Sequence, residues 1–483
     1  MFEPFIALPE ILLVLTALVI LMTGAFRSDD EGLALVTPIA VGAMAVILLI
    51  TLLMDSSHRI GFGGHYITDP FSAFAKVLIL LGSAVCIVMA PRFMATAGMA
   101  RYEYVVLALI STTGMMLMVS ANSLLALYMA LELQSLPIYV MAAFQRDTTR
   151  SSEAGLKYFV LGALASGMLL YGCSLIYGFT GTVDFTRLGD MAGAMAADAP
   201  TALPTGAVVG LVFVAAGLAF KMSAVPFHMW TPDVYEGAPT PVTAFMAAAP
   251  KVAAIALVLR VMMQPFVELV DQWQQIIVFI AVASMILGAF AAIGQTNIKR
   301  LLAYSSIGHV GYALVGLAAG TPEGAQGVLI YLAIYVVMTV GTFGVILACR
   351  RQDQPIETID DFAGLAKQHP MLGFAVAIFM FSLAGIPPLA GFWGKWYVFL
   401  PAVGAGLWPL ALIGLITSVV GAYYYLRVVK VVYFDESREA MDEHIGRELA
   451  VITGVSAAFT LLFVLVPGPI VNAAQAAASA LAL

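Results

Sequence analysis

The chain has 483 residues, of which 61% are hydrophobic and 11% charged, with a net charge of −7 and a mean hydropathy of +0.97. So little polar surface cannot solvate a globule of this size, and the chain reads as an integral membrane protein. The acidic balance leaves no footprint for a nucleic-acid partner. Cys86, Cys173 and Cys349 stand alone in apolar runs, which argues against zinc, haem and iron–sulfur sites.

A bilayer span needs roughly 20 apolar residues. Turn and charge punctuation gives about fourteen such segments: 5–26, 33–54, 70–90, 102–120, 123–144, 154–180, 205–230, 240–264, 273–294, 298–319, 325–349, 371–400, 405–431 and 446–468. The first lacks a basic flank and a small-residue cleavage site, so it reads as a retained span. The expected fold is an all-α polytopic membrane protein forming a single membrane domain. Within it, 1–100 holds three N-terminal helices, 101–264 and 273–431 hold five each, and 446–468 is the last helix. The glycines of GFGGHY neither follow a strand nor open a helix, so they make no dinucleotide fingerprint. No cofactor is expected in this chain.

Basic residues set the orientation, because cytoplasmic loops retain Lys and Arg. One set of alternate loops holds Arg27, Arg92, Arg101, Arg146, Arg150, Lys299, Arg300, Arg350, Arg351, Lys367, Arg427, Lys430, Arg438 and Arg447; the opposite set holds only Arg59, Arg187 and Arg260. An even number of spans follows, with both termini outside the cytoplasm. Five lysines remain inside spans: Lys76, Lys157, Lys221, Lys251 and Lys395.

Lys76 lies about one turn inside its span and reads as snorkelling to the interface. Lys157 follows Glu153 by four residues, so a surface pair competes with a functional reading. At about 1.5 Å per residue, Lys221 is roughly 24 Å into its span and Lys251 roughly 17 Å into the next, both near the midplane. Most acids fall in loops, but Glu132 is about 12 Å inside LALYMALELQSLPIYV. An intramembrane carboxylate is a proton or cation site by default, against the plainer reading of a hydrogen-bonded staple.

Proline inside a helix frees the carbonyl four residues earlier. Pro226 would free Met222 and Pro250 would free Met246, beside Lys221 and Lys251 respectively. SLAGIPPLAGFWGKWYVF carries Pro387, Pro388 and Lys395 in a segment of about 30 residues, too long to cross a roughly 30 Å hydrocarbon core as one helix. The seventh and twelfth segments therefore read as broken helices. Being five apart, they run in opposite directions, as expected of two inverted five-helix repeats.

Pairing with Glu132 would keep Lys221 protonated, and separation would let it pass its proton to Lys251 through bound water. Glu132, Lys221, Lys251 and Lys395 then form a candidate lateral relay. His309, in LLAYSSIGHVGYALVG, is a candidate bridge or a core histidine bonded to a neighbouring hydroxyl. His228 is a candidate entry-route residue or interfacial packing.

KMSAVPFHMWTPDVYEGAPTPVTAF and NIKRLLAYSSIGHVGY resemble the antiporter-like subunits of respiratory complex I, which are related to Mrp-type sodium/proton antiporter subunits. The resemblance covers nearly the whole chain. Within that family, PTPVTAFMAAAPKVAA resembles the subunit-N branch, whose eighth-helix lysine follows a proline, whereas subunit M usually carries glutamate where Lys395 stands. The end at Leu483 reads as lacking the lateral helix of subunit L. The length resembles bacterial subunit N, with the chloroplast subunit as an alternative.

The resemblance implies proton translocation through Glu132, Lys221, Lys251 and Lys395, driven by quinone reduction in other subunits. Those subunits would hold NADH, FMN, iron–sulfur clusters and quinone. It also implies subunits M and K as neighbours, within a bacterial inner membrane. An Mrp-type antiporter subunit and a non-pumping scaffold are the competing expectations.

Overall fold

The computed structural model describes residues 3–198, 205–436, 439–442 and 445–481, and Arg438 of the basic set lies outside them. The helices are α1 (Leu8–Gly24), α2 (Asp29–Leu53), α3 (Pro70–Thr96), α4 (Glu103–Val119), α5 (Leu124–Ala142), α6 (Thr149–Thr180), α7 (Phe185–Asp198), α8 (Thr205–Met222), α9 (Trp230–Gly237), α10 (Thr240–Ala247), α11 (Ala249–Met263), α12 (Val270–Ile293), α13 (Ile298–Ala318), α14 (Pro322–Ala348), α15 (Leu365–Gln368), α16 (Pro370–Ala384), α17 (Ala390–Gly404), α18 (Trp408–Phe434), α19 (Arg447–Leu462) and α20 (Gly468–Ser479). Two small hairpins, β1 (Arg59–Gly61) with β2 (Tyr66–Thr68) and β3 (Arg350–Arg351) with β4 (Gln354–Pro355), trim opposite ends of the bundle.

Eleven helical stretches are long and apolar enough to cross a membrane, and three shorter apolar ones bring the described total to the fourteen segments expected. Four helices, α7, α9, α15 and α20, fall outside those segments. α7 lies in the connection before α8, and α20 follows the last span. α20 is alanine-rich, with Ile470 and Val471 its only large apolar residues, so little marks it in sequence, yet it packs against α3 and α14 and buries Ala474, Ala477 and Ala478.

Burial sorts the helices. The apolar window of Thr240–Met263 is wholly buried and those of α13 and α14 are 94% buried, whereas those of α1, α2 and α6 are 33% buried. A helix apolar all round belongs in a core or in hydrocarbon. Here the buried core helices carry Lys251 and His309.

Both predicted breaks are present, and each starts with the same cap. After α8, Ser223 adopts a left-handed φ of 68°, with bonds from Ser223 N to Phe220 O (3.0 Å) and from Ala224 N to Ala219 O (2.8 Å). After α16, Gly385 takes φ 89°, with Gly385 N to Ser382 O (2.9 Å) and Ile386 N to Phe381 O (3.0 Å). This paired pattern is a Schellman cap, in which the first residue past the helix turns left-handed. A further interruption divides the eighth segment at Ala248, between α10 and α11, just before Pro250.

Loops expected on one side do meet. Tyr66 bridges Ala121, Ser123 bridges Asp184, and Arg260 pairs with Asp69 at the end poor in basic residues. At the other end Asn297 bridges Thr358, and Arg150 pairs with Glu236 and Glu357.

Three basic residues depart from expectation. Lys76 does not snorkel: its ammonium is buried and pairs with Glu10 at 2.7 Å, while donating to Tyr66 Oη at 2.8 Å. Arg260 is a fully buried member of α11, held by Asp69 at 2.9 Å, and Lys299 is a buried member of α13, held by Glu357 at 2.5 Å. The physical reason is common to all three: a carboxylate distant in sequence supplies the counterion that makes burial tolerable.

Removing one member of such a pair strands the other. Lys76→Leu is expected to cost about 3 to 5 kcal/mol of stability, and Glu10→Leu with Lys76→Leu to recover most of it. Thermal denaturation of the purified assembly measures this, and equal losses in the single and double variants would exclude the pairing.

Candidate functional site

The break after α8 solves a problem of valence. Met222, the last residue of α8, keeps an unpaired carbonyl, and Lys251 Nζ donates to it at 2.7 Å and to Ser223 Oγ at 2.5 Å. The carbonyl expected to be freed by Pro226 is therefore held by the lysine of the next core helix. The carbonyl of Met246, expected to be freed by Pro250, accepts from Tyr235 Oη at 3.4 Å.

Lys221, in the last turn of α8, donates to Ser135 Oγ on α5 at 2.7 Å. Glu132, one turn earlier on α5, accepts from Ser166 Oγ on α6. The two sequence-predicted partners thus approach the same face of α5 without forming an ion pair, and the structure shows their separated arrangement. Between the two lysines lies an aromatic stack. Lys221 faces Tyr158 (5.9 Å), Tyr158 stacks on Trp230 (4.1 Å between centroids), and Lys251 faces Trp230 (5.8 Å) and Tyr235 (6.0 Å). Aromatic faces attract ammonium groups through their quadrupole, most strongly where water is absent.

In the second repeat Lys395, on α17, donates to the last carbonyls of α16, Leu383 O (3.2 Å) and Ala384 O (2.8 Å), and to Ser418 Oγ on α18 (2.6 Å). The ammonium again caps the C-terminal end of a half-helix, the negative end of its dipole. Lys395 also faces the Tyr312 ring at 4.8 Å, and that ring lies 5.9 Å from the His309 imidazole.

Both nitrogens of buried His309 meet hydroxyls, Nδ1 that of Tyr331 at 2.5 Å and Nε2 that of Tyr425 at 3.1 Å. Beside it, a cavity with about 20 Å³ of room for water is lined by Ser305, Ser306, Tyr335, Thr339 and Thr342, and reaches from Ala247 to Leu383. That suffices for one water. It lies between the two repeats.

Residues 121–421 match the family described as NADH:quinone oxidoreductase/Mrp antiporter, TM, a span that contains Glu132, Lys221, Lys251, His309 and Lys395. The chain is 58% identical to NADH-quinone oxidoreductase subunit N of Parvibaculum lavamentivorans, over 98% of this chain and 97% of the relative. It is 56% identical to the subunit N of Rhodospirillum rubrum, with the same coverage. The chain belongs to the NADH-quinone oxidoreductase subunit N family. A chain of respiratory complex I from Thermus thermophilus matches with TM-score 0.81 and 34% identity, covering 97% of this chain and 99% of that one. A chain of the Mrp complex from Dietzia sp. DQ12-45-1b matches with TM-score 0.87 at 23% identity, over 99% and 98%, which speaks for a shared fold alone. The chain is thus an antiporter-like membrane subunit of the complex I type.

In this subunit N family member, the two remaining candidates lie off the polar line. Lys157 is partly exposed and pairs with Glu153 at 2.7 Å, as the surface reading expected, and also with Asp233 of α9 at 2.8 Å. His228 is half-buried in the turn between α8 and α9, and its Nδ1 has no hydrogen-bond partner. Sequence reasoning missed the network around Lys157. Arg300 binds Asp233 (2.7 Å) and Glu236 (2.9 Å), Arg150 binds Glu236 (3.0 Å) and Glu357 (2.9 Å), and Lys299 binds Glu357 and the Ala238 carbonyl. These contacts tie α6 and α9 of the first repeat to α13 and the 350–362 connection of the second. The only signal for them was charge clustered in PDVYEG and NIKR, which does not reveal who pairs with whom.

Glu357 lies in that connection. Burial raises its carboxyl, but Lys299 and then Arg150 outweigh this and hold it below its ordinary value. A carboxyl depressed by folding stabilises fully above its unfolded value, about 4.3, and loses that contribution as pH falls through the depressed one. The protection of residues 350–362 against hydrogen exchange, relative to the intrinsic rate at each pH, is therefore expected to fall on acidification into that range. In Glu357→Gln that protection is expected to be low already at neutral pH and to change less with acid. Identical pH profiles in the two proteins would contradict the assignment.

Proposed function

We propose that this chain carries protons through the membrane along Glu132, Lys221, Lys251, His309 and Lys395, driven by quinone reduction in other subunits of the complex. The observation that carries the reading is the state of the three deep lysines. Each is buried, none has a carboxylate partner, and each rests on helix-end carbonyls or hydroxyls. A buried ammonium without a counterion binds its proton less firmly than a paired one. Such groups suit proton exchange, whereas Lys76, Arg260 and Lys299 are each tied to a carboxylate.

Approach of Glu132 to Lys221 would favour the charged lysine, and withdrawal to Ser166 would release its proton toward Lys251. The water-sized cavity beside Ser306 and Tyr335 offers the crossing from the first repeat to the His309 cluster and Lys395. The breaks allow this because the carbonyls they free line protein rather than lipid. His228 and the Lys157 network border the basic end and fit an entry from the cytoplasm.

No cofactor is assigned to this chain; NADH, FMN, iron–sulfur clusters and quinone belong to other subunits. Its neighbours in the reading are the antiporter-like subunit M and the small subunit K, in a bacterial inner membrane with both termini periplasmic. A reporter active only in the periplasm, fused after Leu483, tests that orientation. An Mrp-type exchange of sodium for protons would share these helices, but the high identity to subunit N relatives along the whole chain favours the complex I reading.

Lys251→Ala and Glu132→Gln are each expected to lower proton pumping per NADH oxidised by about tenfold or more in inverted membrane vesicles, a barrier change of at least about 1.4 kcal/mol. The complex is expected to assemble in both. Native pumping in both assembled variants would leave the scaffold reading standing.

A further inference from the structure

All four principal relay groups share one kind of partner. Glu132 accepts from Ser166, Lys221 donates to Ser135, Lys251 to Ser223 and Lys395 to Ser418. These serines lie on α6, α5, the turn after α8, and α18, so no single motif groups them. We propose that the hydroxyls of Ser135, Ser166, Ser223 and Ser418 are the positioning residues of the proton relay, holding each titrating group in place in both of its protonation states.

The chemistry follows from what a hydroxyl can do. It has one donor and two acceptor positions, and its hydrogen turns about the C–O bond. A carboxylate would fix an ammonium too firmly to release its proton, and an apolar neighbour would leave the nitrogen unsatisfied. Serine accepts from the charged lysine and, after turning, donates to the lone pair of the neutral amine. Two of these hydroxyls show where the hydrogen rests while the ammonium donates. Ser135 Oγ donates to Leu131 O at 2.5 Å, and Ser418 Oγ donates to Ala384 O at 3.1 Å. At Glu132 the roles reverse: Ser166 donates to the carboxylate and accepts from the protonated acid. The proton that moves leaves Nζ or the carboxyl, and the serine ends each step with the hydrogen it began with.

Ser223 supplies an independent observation. Its φ of 68° lies where an L side chain is rarely found, while the equivalent cap in the second repeat is glycine, Gly385. Glycine would satisfy the turn without strain but could not meet Lys251. In the second repeat the lysine takes its hydroxyl from α18 instead, so glycine suffices there.

The proposal rests on the proton-relay reading. Its test uses the intact complex in inverted membrane vesicles, with pumping normalised to NADH oxidised. Ser135→Ala, Ser166→Ala and Ser418→Ala are each expected to reduce pumping about tenfold, the scale of a lost hydrogen bond to a charged group. Ser135→Thr, Ser166→Thr and Ser418→Thr are expected to restore most of it. Ser223→Gly removes strain and hydroxyl together, and is expected to assemble fully yet pump poorly.

Native pumping in Ser223→Gly, or threonine variants no better than alanine ones, would overturn the assignment. Where an alanine variant does not assemble, the Ser223→Gly result decides. Lys251→Ala measured in parallel separates the two ideas. If it stops pumping while the serine variants pump normally, the relay stands and the serines fall; if it pumps normally, both fall.

Discussion

An ammonium group in hydrocarbon needs acceptors, and hydrocarbon offers none. The fold depends on how that requirement is met. In this chain helices are broken so that their last carbonyls become the acceptors, and a lysine is placed on each set. Met222 serves Lys251, while Leu383 and Ala384 serve Lys395. The requirement runs the other way as well, because a helix end inside a membrane exposes carbonyls that must find donors. Lysine and break satisfy each other, so neither would be stable at that depth alone.

The two repeats reach this arrangement by different routes. In the first, the capping lysine comes from the following helix, across the interruption at Ala248, and a second lysine sits in the last turn of the broken helix itself. In the second, one lysine on the far half-helix reaches back to the near half. In the proposed relay the first repeat holds two lysine sites separated by Tyr158 and Trp230, and the second holds one, approached through His309 and its tyrosines. An inverted fold with unequal halves would give the proposed path a direction that strict symmetry would withhold.

Much of this was legible in sequence because it is local. Prolines beside lysines in long apolar runs mark the breaks, and the fourteen segments follow from length and punctuation. What stayed hidden is pairing across long separations. Nothing near Lys76 announces Glu10, nothing near Arg260 announces Asp69, and Lys299 looked like a loop residue until Glu357 was placed beside it. The serine partners were invisible for another reason. Serine is common in membrane helices and usually bonds its own backbone, as Ser135 does with Leu131, so only geometry shows the lysine on its other side. α20 escaped because alanine carries little apolar signal.

The pairings also explain which charges stay fixed. Near the two ends of the bundle, three buried cations meet a carboxylate: Lys76 with Glu10 and Arg260 with Asp69 at one end, Lys299 with Glu357 at the other. Such pairs are costly to break, so they suit joints between helices. In the middle, Lys221, Lys251 and Lys395 meet only neutral acceptors. In the proposed relay, fixed charge at the ends would let the centre change its charge without the bundle coming apart. Glu132 is the one acid of the line, and it too rests on a hydroxyl. In the proposed relay its movement toward Lys221 would be the smallest step that converts a neutral-partner site into an ion pair, and the return step would convert it back.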